Sequence, residues 1–259
     1  MFANATNIAA TTAVLGLTAA DTVEVLLFNE TIDALAYDLS ATAAELIAFG
    51  NNAAVDLAYP SAGTISATEA TLVEALNLEA NYADVDSYAI VDSAQAIVDD
   101  VDLSVYLDAT SISATTAELS LTDASALEAL VTAESVDTAT YSVSADATDM
   151  LAFGDAVAID AAYPNATAFV ATSAAIGADA STGEVAQIAA LSLSNATLTY
   201  GVSDTVDNIF ADDSETAAFA TDVEALLQNA IAIEVTSTSL SLDQATLLLG
   251  VGVDSGSLV

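Results

Sequence analysis

The chain has 259 residues, of which 38 are Asp or Glu and none is Lys, Arg, His, Cys or Trp, so its formal net charge is -38. Nucleic acid is excluded as a partner, because binding to phosphates needs Lys or Arg. Catalysis that depends on a His, Cys or Lys side chain is excluded as well. A carboxylate pair or a carboxylate-bound metal is the catalytic chemistry that remains, and we expect no enzyme.

The first predicted elements lie between residues 15 and 60. LGLTAADTVEVL at 15–26 has the spacing of a short helix, and Tyr37 begins a segment in which apolar and polar residues alternate, as in a half-buried strand. A Ser or Thr follows this segment as the expected N-cap of another short helix. A further strand is predicted from Ala53 to Leu57. No run of 18 apolar residues occurs in the chain, so no membrane span is expected.

The next elements repeat this order. ISATEATLVEAL at 65–76 reads as a strand followed by a helix, with Thr68 as the cap and Val73 and Leu76 facing inward. Tyr88 begins another strand and helix, and Val101 to Tyr106 is a candidate strand. LSLTDASALEAL at 119–130 then repeats the pattern of alternation followed by helical spacing.

The second half of the chain begins this order again. Residues 141–164 match residues 37–60 at 12 of 24 positions, at an offset of 104. Strands are predicted at Val157 to Asp160 and at Ile231 to Val235, and helices at 181–191 and 240–251. A shorter copy of the same pattern begins at Tyr200.

Tyrosines mark the repeat throughout the chain. They begin four predicted strands, at Tyr37, Tyr88, Tyr141 and Tyr200, and they precede both prolines, at Tyr59 and Tyr163. This regularity predicts a ladder of packed rings in the core.

A repeating unit of about 51 to 59 residues is typical of stacked arrays, in which each unit buries its apolar face against a neighbour. We therefore predict an α/β repeat protein, an elongated solenoid of short parallel β-strands with short helices. A compact duplicated α/β domain is the alternative. The predicted divisions are an N-terminal partial repeat or cap at 1–36, repeat pairs at 37–140 and 141–250, and a C-terminal tail at 251–259.

The segments YGVSDTVDNIFA, YSVSADATDMLAF and YAIVDSAQAIVDD, together with ISAT…TLVEAL, resemble a repeat of very long bacterial surface and secreted proteins. That repeat runs as a strand, S-D-T-A-x-N-[IL], an Ala-rich loop, a Val/Thr-rich strand and an Ala/Leu-rich helix. The resemblance covers most of residues 10 to 250. Only Ser203-Asp204-Thr205 keeps the S-D-T word, and the calcium nonapeptide G-G-x-G-x-D is absent.

The resemblance implies an extracellular or cell-surface location in an adhesin-like or surface-layer-like protein, exported without a cleaved N-terminal signal. From the resemblance and the composition we expect a non-enzymatic structural protein that assembles with itself into a filament, sheath or surface layer. The alternatives are an adhesin segment that binds carbohydrate or another cell surface, a carboxylate-based hydrolase and a salt-adapted cytosolic protein.

Three acidic clusters are the predicted cation sites, because carboxylate oxygens are the ligands that Ca²⁺ prefers. Their members are Asp84 and Asp86; Asp99, Asp100 and Asp102; and Asp212, Asp213 and Glu215. None of these clusters has the spacing of an EF-hand loop. Divalent cations are also expected as partners of the whole chain, because they would reduce the repulsion among its 38 carboxylates.

Overall fold

A computed structural model describes residues 14–29, 36–100, 108–210, 218–220, 222–236 and 240–251. Short strands and short helices alternate along this part of the chain. In chain order they are β1 (Val14–Leu15), α1 (Leu17–Phe28), β2 (Tyr37–Thr42), α2 (Ala43–Ile47), α3 (Asn52–Ala58), β3 (Ala62–Ala70), α4 (Leu72–Asn81), β4 (Ser87–Ser93), α5 (Ala94–Asp99), β5 (Ala109–Thr115), β6 (Glu118–Leu119), α6 (Leu121–Thr132), β7 (Thr138–Ala139), β8 (Tyr141–Asp146), α7 (Ala147–Leu151), α8 (Ala156–Ala162), β9 (Ala166–Ala174), α9 (Glu184–Ala190), β10 (Thr197–Asp204), α10 (Val206–Ile209), α11 (Val223–Leu227), β11 (Ala232–Val235) and α12 (Leu242–Gly250).

These elements belong to two compact units, and the chain passes from one to the other after Thr115, within α6 after Ala129, and after Ala139. Unit 1 lies within Met1–Thr115 and Leu130–Ala139, and unit 2 lies within Thr116–Ala129 and Thr140–Val259. Each unit contains one parallel sheet. The strand order is β1-β2-β3-β4-β5-β7 in unit 1 and β11-β10-β9-β8-β6 in unit 2. Within each sheet, therefore, every strand pairs with the strand that precedes or follows it in that sheet along the chain.

One face of each sheet is buried and the other is not. In β2, Tyr37, Leu39 and Ala41 are buried, whereas the residues between them are partly exposed. The same alternation occurs in β8, where Tyr141 and Val143 have no exposed surface. The helices α2 and α4 pack on the strands of unit 1 and on each other, as α7 and α9 do in unit 2. The core of each unit therefore lies between its helices and one face of its sheet.

Several strands lead directly into a helix, because the last strand residue is also the helix N-cap. The hydroxyl of Thr42 accepts a hydrogen bond from the backbone N–H of Glu45, whose carboxylate accepts one from the backbone N–H of Thr42. Ser93 and Asp146 cap α5 and α7 in the same position. Such caps satisfy N–H groups that a helix leaves unpaired at its start. The chain can therefore reverse direction without a long loop.

The structure repeats at the same offset as the sequence. Gly50 and Gly154, which are 104 residues apart, both have a positive φ in the turn that follows the first helix of their unit's repeated segment. Tyr59 makes an edge contact with Phe49 at 5.7 Å between ring centroids, and Tyr163 does so with Phe153 at 5.4 Å. The duplication predicted from the sequence is therefore present as matched packing.

Two predicted strands are wrong. Ala53–Leu57 lies in α3 and Val157–Asp160 lies in α8. Short apolar runs do not distinguish a strand from a buried helix by their periodicity. The side chains of Asn51 and Asp155 decide the outcome, since each accepts a hydrogen bond from the backbone N–H three residues later and so starts a helix.

The predicted start of α4 is also wrong. Thr71 caps this helix in place of Thr68, because β3 continues to Ala70 through a backbone irregularity at Glu69, whose φ is 55°. The shift turns Val73 and Leu76 outward, with exposed fractions of 76% and 47%. The residues that α4 buries are Leu72, Ala75 and Leu78.

The α/β class, the parallel strands and the short helices are confirmed. The strand predicted at Ile231 to Val235 is confirmed as β11. The strand predicted at Val101 to Tyr106 lies outside the described residues. No helix in the part of the chain that the structure describes is both long enough and apolar enough to span a membrane.

Candidate functional site

An acidic pocket of about 420 Å³ lies in unit 1 at the end of α3 and the turn between α4 and β4. Its carboxylates come from Asp56 on α3 and from Asp84 and Asp86 next to the start of β4. Tyr59, Pro60 and Ile65 contribute to its walls. Two predicted cation ligands, Asp84 and Asp86, thus lie around the same space, together with a third carboxylate that the sequence did not single out.

Asn52 joins two of these carboxylates. Its side-chain N–H group donates to Asp56 Oδ2 at 3.1 Å and also to Asp84, and its Oδ1 accepts a hydrogen bond from the backbone N–H of Asp84 at 3.1 Å. The pKa of the Asp56 carboxyl is raised by its reduced contact with water, and further by its hydrogen bond with the Asp84 carboxyl and the negative charge of that group. The pair is a concentration of negative charge that no cationic side chain can neutralise, since the chain contains no Lys, Arg or His.

Asp86 serves the sheet as well as the pocket. Its backbone N–H donates to the carbonyl of Ile65, and its Oδ2 accepts from the backbone N–H of Ile65, both at 2.8 Å. Asp137 makes the same two bonds with Ile112, again at 2.8 Å. Because this arrangement recurs where strands begin, one oxygen of Asp86 has a structural role in holding β4 next to β3.

The other predicted ligands are not part of this pocket. Asp99 and Asp100 lie at the end of α5, where Asp99 accepts a hydrogen bond from Gln95 at 2.9 Å. Asp102, Asp212, Asp213 and Glu215 lie outside the described residues. Within the described ranges, no three Asp or Glu side chains are arranged closely enough to hold a metal ion together. Calcium binding at these residues stays a prediction.

Unit 2 has a different group at the matching position. Asp160, on α8, is 104 residues after Asp56, and Ser194 takes the place of Asp84 beside it. The backbone N–H and the hydroxyl of Ser194 donate to Asp160 Oδ2 at 2.9 and 2.8 Å. These hydrogen bonds lower the pKa of the Asp160 carboxyl. The duplicated position is therefore a repelling carboxylate pair in unit 1 and a hydrogen-bonded carboxylate in unit 2.

Comparison of the chain with protein-family models, curated proteins and solved structures found no match. The unit 1 site is a set of acceptors without a cationic side chain, since the chain contains no Lys, Arg or His. Such a site can attract a cation or a donor-rich ligand.

Buried tyrosines bound to carboxylates form a second repeated feature. Tyr37 donates to Glu24 at 2.7 Å, and Glu24 also accepts from the backbone N–H of Ser61 at 3.1 Å. In unit 2, Tyr141 donates to Glu128, which also accepts from the backbone N–H of Asn165 at 3.1 Å. Each carboxylate therefore ties a helix to the start of one strand and to the turn before the next. Tyr37 and Tyr141 are buried in the core, as predicted, and the ladder of packed rings stays a prediction.

The pKa values of these tyrosines follow from their surroundings. Burial raises the pKa of Tyr37, and its hydrogen bond to the negatively charged Glu24 raises it further. The pKa of Tyr141 is raised in the same way, by burial and then by Glu128. For Tyr59, burial and the hydrogen bond to Asp21 raise the pKa to about 12. All three phenols are held in the neutral form.

A third feature is a loop that is longer in unit 2 than in unit 1. In both units a Glu carboxylate accepts a hydrogen bond, at 2.9 Å, from the first backbone N–H after a strand. Glu74 on α4 accepts from Thr71, and Glu184 on α9 accepts from Ala175. These partners are three residues apart in unit 1 and nine apart in unit 2, so unit 2 contains six additional residues here. This longer loop between β9 and α9 is called here the additional loop. Its residue Asp179, together with Asn208 and Asp222 from elsewhere in unit 2, lines a pocket of about 520 Å³.

The carboxylate pair of unit 1 predicts a pH-dependent effect of replacing Asp84 by Ser. Because the pKa of Asp56 is raised on folding, the pair weakens the fold above the ordinary Asp pKa of about 3.9 and has no such effect well below it. We expect Asp84→Ser to raise the thermal midpoint by roughly 1–2 °C at neutral pH and to leave it unchanged near pH 3. Thermal unfolding followed by circular dichroism measures this.

The matched control is Ser194→Asp, which recreates the carboxylate pair in unit 2. It removes the hydroxyl that donates to Asp160 and places a second negative charge beside that carboxylate, so it should lower the thermal midpoint at neutral pH. A rise in the midpoint with Ser194→Asp, or an equal effect of Asp84→Ser at both pH values, would contradict this account.

Proposed function

We propose that this protein is a non-enzymatic, extracellular structural protein, a repeat subunit that assembles with itself into a filament, sheath or surface layer. The observation that carries the proposal is the strand order of each sheet. Parallel strands follow one another in chain order, and neither sheet closes into a barrel within the described residues. Such a topology extends by adding further strands, as in repeat proteins whose units contact only their neighbours.

We further propose that the repeats form an elongated solenoid. The hydrogen bonds of Tyr37 and Tyr141 to equivalent carboxylates support it, because the same contact between a helix and the start of a strand recurs in the two repeats. Among the described residues of unit 2 the last strand is β11, and it pairs with β10 through Gly201–Asp204 and Ala232–Val235. A strand at the end of such a sheet offers backbone groups to another strand.

The acidic composition supports an exterior location and an assembly that depends on cations. Two chains of charge -38 repel each other, and divalent cations would reduce this repulsion. The chain also lacks any Lys or Arg after which trypsin could cleave. We propose Ca²⁺ as the cation, and the carboxylate pair of Asp56 and Asp84 is the first place to look for it in unit 1.

Electron microscopy and sedimentation at several Ca²⁺ concentrations test the proposal. We expect ordered assemblies to form with Ca²⁺ and to loosen when a chelator is added or the ionic strength is lowered. Monodisperse monomers at every Ca²⁺ concentration, and up to the highest protein concentration reached, would contradict it. Comparing wild type with Asp84→Ser tells whether the unit 1 pocket binds the Ca²⁺ on which assembly depends, since that variant removes one carboxylate of the pair.

The pocket of the additional loop in unit 2 favours a second candidate function, an adhesin segment that binds carbohydrate. Its carboxylates and the amide of Asn208 can hydrogen-bond to the hydroxyl groups of a sugar. Asp204 holds one wall, accepting from Gly177 N at 2.8 Å and from Asn208 Nδ2 at 2.7 Å. A glycan array would show selective binding that Asp179→Ala abolishes. Without selective binding, this candidate is rejected.

A further inference from the structure

Four N-x-T triplets, the acceptor sequence of N-linked glycans, occur in the chain. They begin at Asn4, Asn29, Asn165 and Asn195. In a folded chain, such a triplet can be modified only where the Asn amide and the hydroxyl two residues later are both exposed on a loop. Asn4, and Thr31 of the second triplet, lie outside the described residues. The structure therefore allows a comparison of the two triplets in unit 2.

Hydrogen bonds occupy the triplet that begins at Asn165. This residue lies half-buried in the turn before β9, where its Nδ2 donates to Glu128 Oε2 at 2.9 Å and its backbone N–H donates to Glu128 Oε1 at 3.1 Å. The hydroxyl of Thr167 donates to the carbonyl of Tyr141 at 3.0 Å. Modification of Asn165 would break the contact between α6 and this turn, so we expect the fold to protect this triplet.

The triplet that begins at Asn195 is accessible. It lies in the connection between α9 and β10, where residues 194–196 form a bend and Thr197 is the first residue of β10. The side chains of Asn195 and Thr197 are both exposed, and neither makes a hydrogen bond to another described residue. The amide and the hydroxyl that an acceptor site requires are therefore available together.

The backbone next to this acceptor amide is held in place by Asp160 on α8. The backbone N–H and the hydroxyl of Ser194 donate to Asp160 Oδ2 at 2.9 and 2.8 Å. The backbone N–H of Asn195 bonds to the same carboxyl group. The bend is thus attached to the body of unit 2 through its backbone, while the Asn195 side chain is left free for another use.

Unit 1 shows that the repeat does not need an Asn at this position. The residue two positions before β4 is Val85, which belongs to the core with an exposed fraction of 7%. The residue two positions before β10 is Asn195, which is exposed. Each follows the residue beside the helix carboxylate, Asp84 in unit 1 and Ser194 in unit 2. A core residue of one unit is therefore replaced in the other by an exposed amide that packing does not explain.

We propose that Asn195 carries an N-linked glycan. The proposal rests on the extracellular location proposed above, since such glycans are typical of secreted chains. The donor is an oligosaccharide linked to a lipid through a diphosphate. A bond forms between Asn195 Nδ2 and the anomeric carbon of the first sugar, and the bond from that carbon to the diphosphate oxygen breaks. The lipid diphosphate leaves, and Nδ2 loses one proton.

Selectivity for Asn195 over Asn165 is tested on the purified, folded chain. The chain is incubated with the lipid-linked donor and an oligosaccharyltransferase that glycosylates two synthetic peptides, 161–170 and 191–200. Cleavage before each Asp places the two triplets in separate fragments, 160–178 and 179–203, for mass spectrometry. We expect about tenfold more glycan at Asn195, because the Asn165 triplet must first break its hydrogen bonds.

The two peptides are the control for this experiment, because they present both triplets without the fold. Equal occupancy of Asn195 and Asn165 in the folded chain would overturn the proposal. Absence of glycan at Asn195 in the folded chain, although peptide 191–200 is modified, would overturn it as well.

Two variants test the roles of the acceptor groups. Thr197→Val keeps the β-branched shape and removes the hydroxyl, and Asn195→Gln removes the acceptor. Both should lose the glycan on fragment 179–203 and keep the circular dichroism spectrum of the wild type, because neither side chain makes a hydrogen bond within the described residues. Glycan that remains on this fragment in Asn195→Gln would mean that another residue is the acceptor, and this result would overturn the proposal.

The chain isolated from the cells that produce it shows whether the site is used. Fragment 179–203 from the extracellular fraction should carry a glycan at Asn195. An extracellular chain in which Asn195 is unmodified would overturn this proposal and leave the proposed function in place. If the chain is found only in the cytosol, the proposed extracellular location fails, and the glycan proposal fails with it.

Discussion

Raising the pH above about 10 is expected to unfold this protein, and tyrosinate should form in the same step. The chain has no Lys, Arg, His or Cys, so its eight tyrosines are the only side chains that titrate in the alkaline range. The pKa values of Tyr37 and Tyr141 are raised above the ordinary value of about 10 by burial and by their carboxylate partners.

The sign of the effect follows from proton linkage. A group whose pKa is higher in the folded state keeps its proton there and loses it in the unfolded chain. Its contribution to stability is complete below the unfolded pKa of about 10 and is lost as the pH rises toward the folded value. Three tyrosines, including Tyr59 with a pKa of about 12, act in the same direction.

Tyrosinate absorbance and far-ultraviolet circular dichroism, recorded together during an alkaline titration, measure this effect. We expect the tyrosinate of Tyr37, Tyr59 and Tyr141 to form in the same transition as the loss of dichroism, well above pH 10. Tyr141→Phe keeps the buried ring and removes one titrating group, so it should reduce the steepness of the loss of stability with pH. Formation of tyrosinate by all eight tyrosines near pH 10 with an intact dichroism spectrum would show that the hydrogen bonds to Glu24 and Glu128 do not hold the phenols of Tyr37 and Tyr141 neutral.

Replacing Gly183 by Ala is expected to lower the free energy of unfolding by about 3 kcal/mol. A Cβ at this position would lie 1.7 Å from the carbonyl oxygen of Ile176 and 2.5 Å from its carbonyl carbon. Both are backbone atoms of the additional loop, so they cannot move away without displacing the strand end. Gly183 has a φ of -64°, which means that the cost is steric and not conformational.

Gly16→Ala is the matched control for this substitution. Gly16 is also a helix N-cap without a side-chain hydrogen bond, and its φ is -75°. Among the described residues, an added Cβ would meet only the carbonyl oxygen of Ser40, at 3.9 Å. We expect it to cost less than about 1 kcal/mol. Chemical denaturation of both variants gives the comparison, and an equal cost at the two glycines would mean that the loop does not pack as described.

The repeat made much of the fold predictable. The match of residues 37–60 to residues 141–164 predicted equivalent structures, and Tyr37 and Tyr141 do have equivalent carboxylate partners. The spacing of apolar residues was a less reliable guide where the same residues fit both the period of a strand and the period of a helix. Ala53–Leu57 reads as a strand or a helix, and only the side-chain cap at Asn51 decides between them.

The candidate site was predictable only in part, because a cluster along the chain need not be a cluster in space. Asp84 and Asp86 are neighbours in sequence, yet the partner of Asp84 is Asp56, 28 residues earlier on α3. A signal did exist, since Asp56 is identical to Asp160 within the repeated segment. The periodicity of this segment predicts a strand, whereas α3 forms there and brings Asp56 beside Asp84.

The sequence by itself determined the charge, the absence of basic chemistry, the duplication and the α/β class, because these depend on composition and on short-range periodicity. Tertiary structure alone decided which carboxylates meet, which hydroxyls bond to a neighbouring strand and which sheet face is left uncovered. Those properties depend on the register between strands that are 20 to 30 residues apart in sequence, such as Ser40 beside Ser66, and no local pattern specifies that register.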